Sequence, residues 1–96
     1  MKEDKNNEIK PFRDAIDIID SKIITLLADR RNQIIELAKI KKRLNIPIFH
    51  SDREKSLITK LRFQADEQGV DPEFIEKLYY DIIEYSRFIQ AHIIKG

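Results

Sequence analysis

Apolar residues recur at Phe12, Ile16, Ile19, Ile23, Leu26, Leu37, Ile40 and Leu44, in alternating steps of four and three that also run through Arg30 and Gln33. Such steps keep one stripe of a helix apolar, as in the seam between packed helices. Pro11 suits a first turn. No glycine or proline then interrupts the pattern before Asn45-Ile46-Pro47, so it predicts one helix over residues 11–44. A second helix is announced by Ser51-Asp52-Arg53-Glu54, which has the form of a capping box with Ser51 as N-cap. Leu57, Ile58, Leu61 and Ala65 form its apolar face, and Gly69 marks its end. A third begins at Asp71-Pro72-Glu73, with Asp71 as N-cap, Pro72 at the first helical position and Glu73 facing the helix dipole. Its apolar face includes Ile75, Leu78, Tyr79, Ile82, Ile83, Ile89 and Ile93.

The expected fold is therefore all-α, with three helices per chain, one of them very long. Residues 1–9 are expected to be a flexible tail and residues 10–96 one helical domain. A helix over residues 11–44 runs about 50 Å, whereas a compact domain of this size is roughly 30 Å across. The excess length carries apolar seam that would be costly to leave in water. A second copy of the chain is the simplest cover, so the pattern predicts an intertwined two-fold homodimeric bundle.

Composition narrows the function. A net charge of +1 gives no bulk attraction to nucleic acid or to an anionic membrane. The absence of cysteine removes disulfides, thiolate zinc sites and thiol nucleophiles. His50 and His92 lack a paired Glu-x-x-His spacing, so no metal site is expected. The opening eight residues lack the apolar stretch of a signal peptide, and no apolar run is long enough for a membrane span, so a cytoplasmic protein is expected.

The polar residues that interrupt the apolar pattern carry the candidate chemistry. Arg30 occupies a seam position, and a charge there needs a counter-charge or a ligand. Lys41 follows eleven residues later, about three turns on, and shares nearly the same face. Ser86 and Gln90, four residues apart, are neighbours beside Ile82, Ile83, Ile89 and Ile93. Arg53 opens the second helix near the core edge. Arg13 lies about a quarter turn off the Arg30 face, so it would serve a partner's site rather than its own. Each has a structural alternative: a snorkelling cation, a small packing serine, a register-fixing glutamine, a capping-box acid at Glu54. Together, cations and neutral donors on apolar surface suit a small, multiply anionic, partly apolar ligand.

These residues resemble the all-helical chorismate mutases. The resemblance runs from Arg13-Asp-Ala-Ile-Asp-Ile-Ile-Asp through Leu26-Leu-Ala-Asp-Arg30, Lys39-Ile-Lys41, Pro47 and Asp52-Arg53-Glu54 to Ser86 and Gln90. It implies conversion of chorismate to prephenate by a Claisen rearrangement, with no cofactor and no metal. Carried over, Arg30 and a partner's Arg13 hold the substrate carboxylates. Lys41 and Gln90 donate to the ether oxygen, Arg53 supports that cationic region, Glu54 accepts from the ring hydroxyl, and Ser86 contacts a carboxylate or hydroxyl. His50 stands where many members carry Asp, at a position that meets substrate partly through its backbone. Two alternatives remain open. An isochorismate–pyruvate lyase uses a similar groove, and a non-catalytic helical dimerisation module would need only the apolar seams.

Overall fold

A computed structural model describes the backbone of residues 2–96 and the side chains of residues 7–96. The elements are α1 (Lys2–Leu44), α2 (Ser51–Glu67) and α3 (Pro72–Lys95), with no strand among the described residues. This is the expected all-α architecture. The first helix begins at Lys2 rather than near Pro11. Pro11 lies inside it, where it lacks the N–H that would donate to the carbonyl four residues back. The surrounding turn continues regardless, and Lys10 pairs with Asp14 across it at 2.7 Å.

The helix ends follow from local chemistry. At the end of α1, Asn45 adopts a left-handed conformation with φ 57°. The Ile46 N–H then reaches Lys41 O at 2.8 Å and the Asn45 N–H reaches Lys42 O at 3.3 Å, the double closure of a Schellman turn. The end of α2 repeats the device with Gly69 at φ 72°. Here Val70 N–H donates to Ala65 O at 2.8 Å and Gly69 N–H to Asp66 O at 3.1 Å. Asp71 caps α3 by accepting from the Glu73 N–H at 3.0 Å. The N-cap of α2 differs from expectation. It is His50, whose Nδ1 accepts from the Arg53 N–H at 3.0 Å, and Ser51 is already helical.

The chain divides into two compact units, one running to Asn32 and one spanning Gln33–Gly96. The first consists of the earlier part of α1. Its seam residues Phe12, Ile16, Ile19, Ile23 and Leu26 are all exposed, Phe12 at 72%. The second unit contains the end of α1, with α2 packed on α3. Arg62 of α2 bridges Glu73 at 2.8 Å and Glu76 at 3.4 Å, while Glu54 pairs with Arg87. Those pairings run in opposite directions along the two helices, so α2 and α3 are antiparallel. Ala38, Ile58, Ala65 and Ile83 are the buried apolar residues among those described, joined by Ser86 and Gln90. Two buried polar residues in so small a core are what draws attention to α3. None of the described helices is long and apolar enough to cross a membrane.

Candidate active site

The second unit brings Lys41, His50, Arg53, Glu54, Ser86 and Gln90 onto three neighbouring segments. The Schellman turn after α1 sends the chain back past Lys41, whose ammonium donates to Ile48 O at 3.0 Å and to Gln90 Oε1 at 2.8 Å. Forty-nine residues of sequence separate Lys41 from Gln90, yet the two groups form one unit. An ammonium only donates, so Gln90 must turn its oxygen towards Lys41 and its NH₂ away. Those two acceptors account for two of the three ammonium protons. The pair thus presents a charged N–H and a neutral N–H from one half-buried spot. Burial lowers the Lys41 pKa from its usual value, and the nearby negative charge of Glu54 opposes that shift.

Glu54, in the first turn of α2, is half-buried and ion-paired to Arg87 of α3. Hydrogen bonding to Glu54 raises the Arg87 pKa above the usual guanidinium value, against a smaller desolvation effect, with further support from the charges of Glu54 and Glu84. Arg87 also lies over the Phe49 ring at 4.5 Å. Glu54, Arg87 and Phe49 help line a cavity of about 490 Å³, together with Ser51, Ile58 and Tyr80. Sequence reasoning does not single out Arg87. The available signal is its place on α3, four residues after Ile83 and three before Gln90, which puts a cation beside the apolar face.

The remaining expected residues are placed as follows. Ser86 is buried, and its hydroxyl donates to Ile82 O at 2.9 Å. Arg53 is exposed, and its backbone N–H is engaged by the His50 cap. His50 is also exposed, with Nδ1 and its carbonyl both accepting from the first turn of α2. In the first unit Arg30 is half-buried and Arg13 is exposed. Among the described residues no cluster of His, Asp and Glu is arranged to hold a metal ion.

The His50 cap has a measurable consequence. His50→Ala is expected to lower stability by about 0.5–2 kcal/mol, the usual effect of losing an N-cap acceptor. His50→Asp is expected to restore the cap and to match or exceed the wild type, because a carboxylate also complements the positive end of α2. Urea unfolding at fixed chain concentration checks both. An Asp variant no better than Ala would contradict the capping role.

Comparison with known proteins identifies the family. Residues 12–91 match the chorismate mutase type II family, and the chain belongs to that family. It is 32% identical over 88 residues to a chorismate mutase of Methanocaldococcus jannaschii, covering 92% of this chain and 89% of that one. It is 38% identical over 90 residues to a bifunctional chorismate mutase/prephenate dehydratase of Buchnera aphidicola, covering 94% of this chain but 23% of that protein. A T-protein of Enterobacter agglomerans is 33% identical over 79 residues, with 82% and 21% covered. The chain therefore spans under a quarter of the length of those two larger relatives and nearly all of the archaeal one.

Proposed function

We propose that the protein is a chorismate mutase, rearranging chorismate to prephenate in the supply of aromatic amino acids in the cytoplasm, and that it works as a homodimer. The observation that carries the reading is the Lys41–Gln90 pair at 2.8 Å. In a Claisen rearrangement one C–O bond breaks as one C–C bond forms within the same molecule. Negative charge develops on the ether oxygen, and no nucleophile or external proton carrier is required. Two fixed donors on that oxygen supply electrostatic stabilisation where charge appears. The rest of the work is holding a flexible dianion in a compact conformer. Family likeness assigns the carboxylates to Arg30 and to Arg13 of a second copy, support of the cationic end to Arg53, and the ring hydroxyl to Glu54. Ser86 and the backbone around His50 complete the binding groups.

The exposed seam of α1 supports the dimer. Phe12, Ile16, Ile19, Ile23 and Leu26 face solvent in the single chain, and burying each would contribute about 1.5–3 kcal/mol. Light scattering is expected to give twice the chain mass, and a monomer at assay concentration would sink this part of the reading.

Purified protein is expected to consume chorismate and form prephenate without added cofactor and with a chelator present, followed by absorbance. Isochorismate offered separately is expected to release no pyruvate. Pyruvate release without chorismate turnover would make the protein a lyase, and inertness towards both would leave a dimerisation module.

A further inference from the structure

Arg87 carries chemistry that the proposed reaction does not yet use. Its Nε donates to Glu54 Oε2 at 2.9 Å, and a terminal nitrogen donates to Oε1 of the same carboxylate. Such a two-point pair fixes the plane of the carboxylate, where a lysine would fix only its distance. The guanidinium carbon lies 4.5 Å from the centre of the Phe49 ring, which braces it from the loop before α2. Three segments therefore converge on the Arg87 guanidinium, which in turn holds one carboxyl group. Each Glu54 oxygen accepts one bond from Arg87 and keeps a second lone-pair direction. Glu54 and Arg87 both border the cavity described above.

We propose that Arg87, braced by Phe49, is a positioning residue that holds Glu54 in the one orientation that accepts the substrate's ring hydroxyl. The inference rests on the chorismate mutase reading and adds a residue to it. A carboxylate with a fixed plane selects one ring conformer of the bound substrate. A carboxylate free to rotate still binds the hydroxyl, but in poses that do not react. Removing Arg87 therefore falls on kcat more than on KM.

The test is a steady-state comparison on chorismate of wild type, Arg87→Leu, Arg87→Lys, Phe49→Leu, Glu54→Gln and the Arg87→Leu/Glu54→Gln double variant. Circular dichroism and thermal unfolding at equal chain concentration accompany it. Arg87→Leu is expected to lose on the order of tenfold in kcat with KM changed less than about threefold. Phe49→Leu should lose a smaller part, and Arg87→Lys should recover part of the loss. The double variant should be no slower than Glu54→Gln alone, because Arg87 acts only through Glu54. Full kcat in Arg87→Leu, or losses that multiply in the double variant, overturns the proposal. Should Arg87→Leu lose its helical signal, Arg87→Lys decides, with an unchanged kcat against the proposal and a loss for it. A wild type that does not turn over chorismate overturns the functional reading and this inference with it. An active wild type with an indifferent Arg87→Leu overturns this inference alone.

Discussion

Lys41→Met is expected to lower kcat/KM on chorismate by about 10²–10³-fold, the usual loss when a donor to a developing oxyanion is removed. Methionine keeps the apolar stem but supplies no proton, so circular dichroism should still report a helical protein. The ammonium does two things here. It holds Gln90 Oε1 at 2.8 Å and Ile48 O at 3.0 Å, and its remaining proton is the proposed charge-bearing donor to the ether oxygen. Its removal therefore costs a donor and also frees Gln90 to turn.

The lowered Lys41 pKa adds a pH signature. Burial is its main cause, with the charge of Glu54 opposing. In the proposed mechanism the active form is the protonated one. A depressed pKa means that the proton is lost at lower pH than from an ordinary lysine, so kcat/KM should fall as pH rises through that lowered value. For stability the sign is reversed. Folding disfavours the charged form, so the penalty is present at neutral pH and disappears above the unfolded-state pKa. Lys41→Arg stays protonated throughout and should lack the alkaline fall in kcat/KM, whatever its absolute rate. A wild-type profile that stays flat through the whole lysine range would contradict the assignment.

Much of this was legible in the residues themselves, and the exceptions have physical reasons. The four-and-three spacing along α1 and the Asp71-Pro72-Glu73 start of α3 are local signals, and the structure repeats them. The cap of α2 is shifted by one residue because an imidazole nitrogen accepts the Arg53 N–H as a hydroxyl would have done from Ser51. Few sequence rules give histidine that task. The start of α1 is misjudged at Pro11, because a proline acceptable in a first turn is here accommodated inside the helix. Lys41 and Gln90 stand out as polar residues beside apolar neighbours, and the fold joins them. Arg87 also stands beside apolar neighbours, but nothing along the sequence pairs it with Glu54. A charge partnered across two helices looks, in one dimension, like any solvated charge, and only the antiparallel packing of α2 on α3 brings the two within reach.

Gln90→Glu is expected to make activity acid-dependent, with a loss of roughly a hundredfold near neutral pH that shrinks as pH falls. The native amide turns its oxygen to the Lys41 ammonium at 2.8 Å and its NH₂ away from it, so it donates at any ordinary pH. A carboxyl group in the same place donates only when protonated, and an unperturbed glutamic acid has a pKa of about 4.3. Beside Lys41 the ionised form gains a charged partner, which lowers that value. The burial of position 90, with 5% of the native residue exposed, and a bound dianion both raise it. Whichever prevails, the direction is set. Above its pKa the carboxylate presents negative charge to an oxygen that is itself becoming negative, and below it the O–H replaces the lost N–H. The measurement is kcat/KM against pH for both proteins, with circular dichroism at each end of the range. Wild type should be flat across the acid range in which the variant gains activity. A variant that keeps near-native turnover at pH 8 would show that Gln90 serves only to pack α3 and to anchor Lys41.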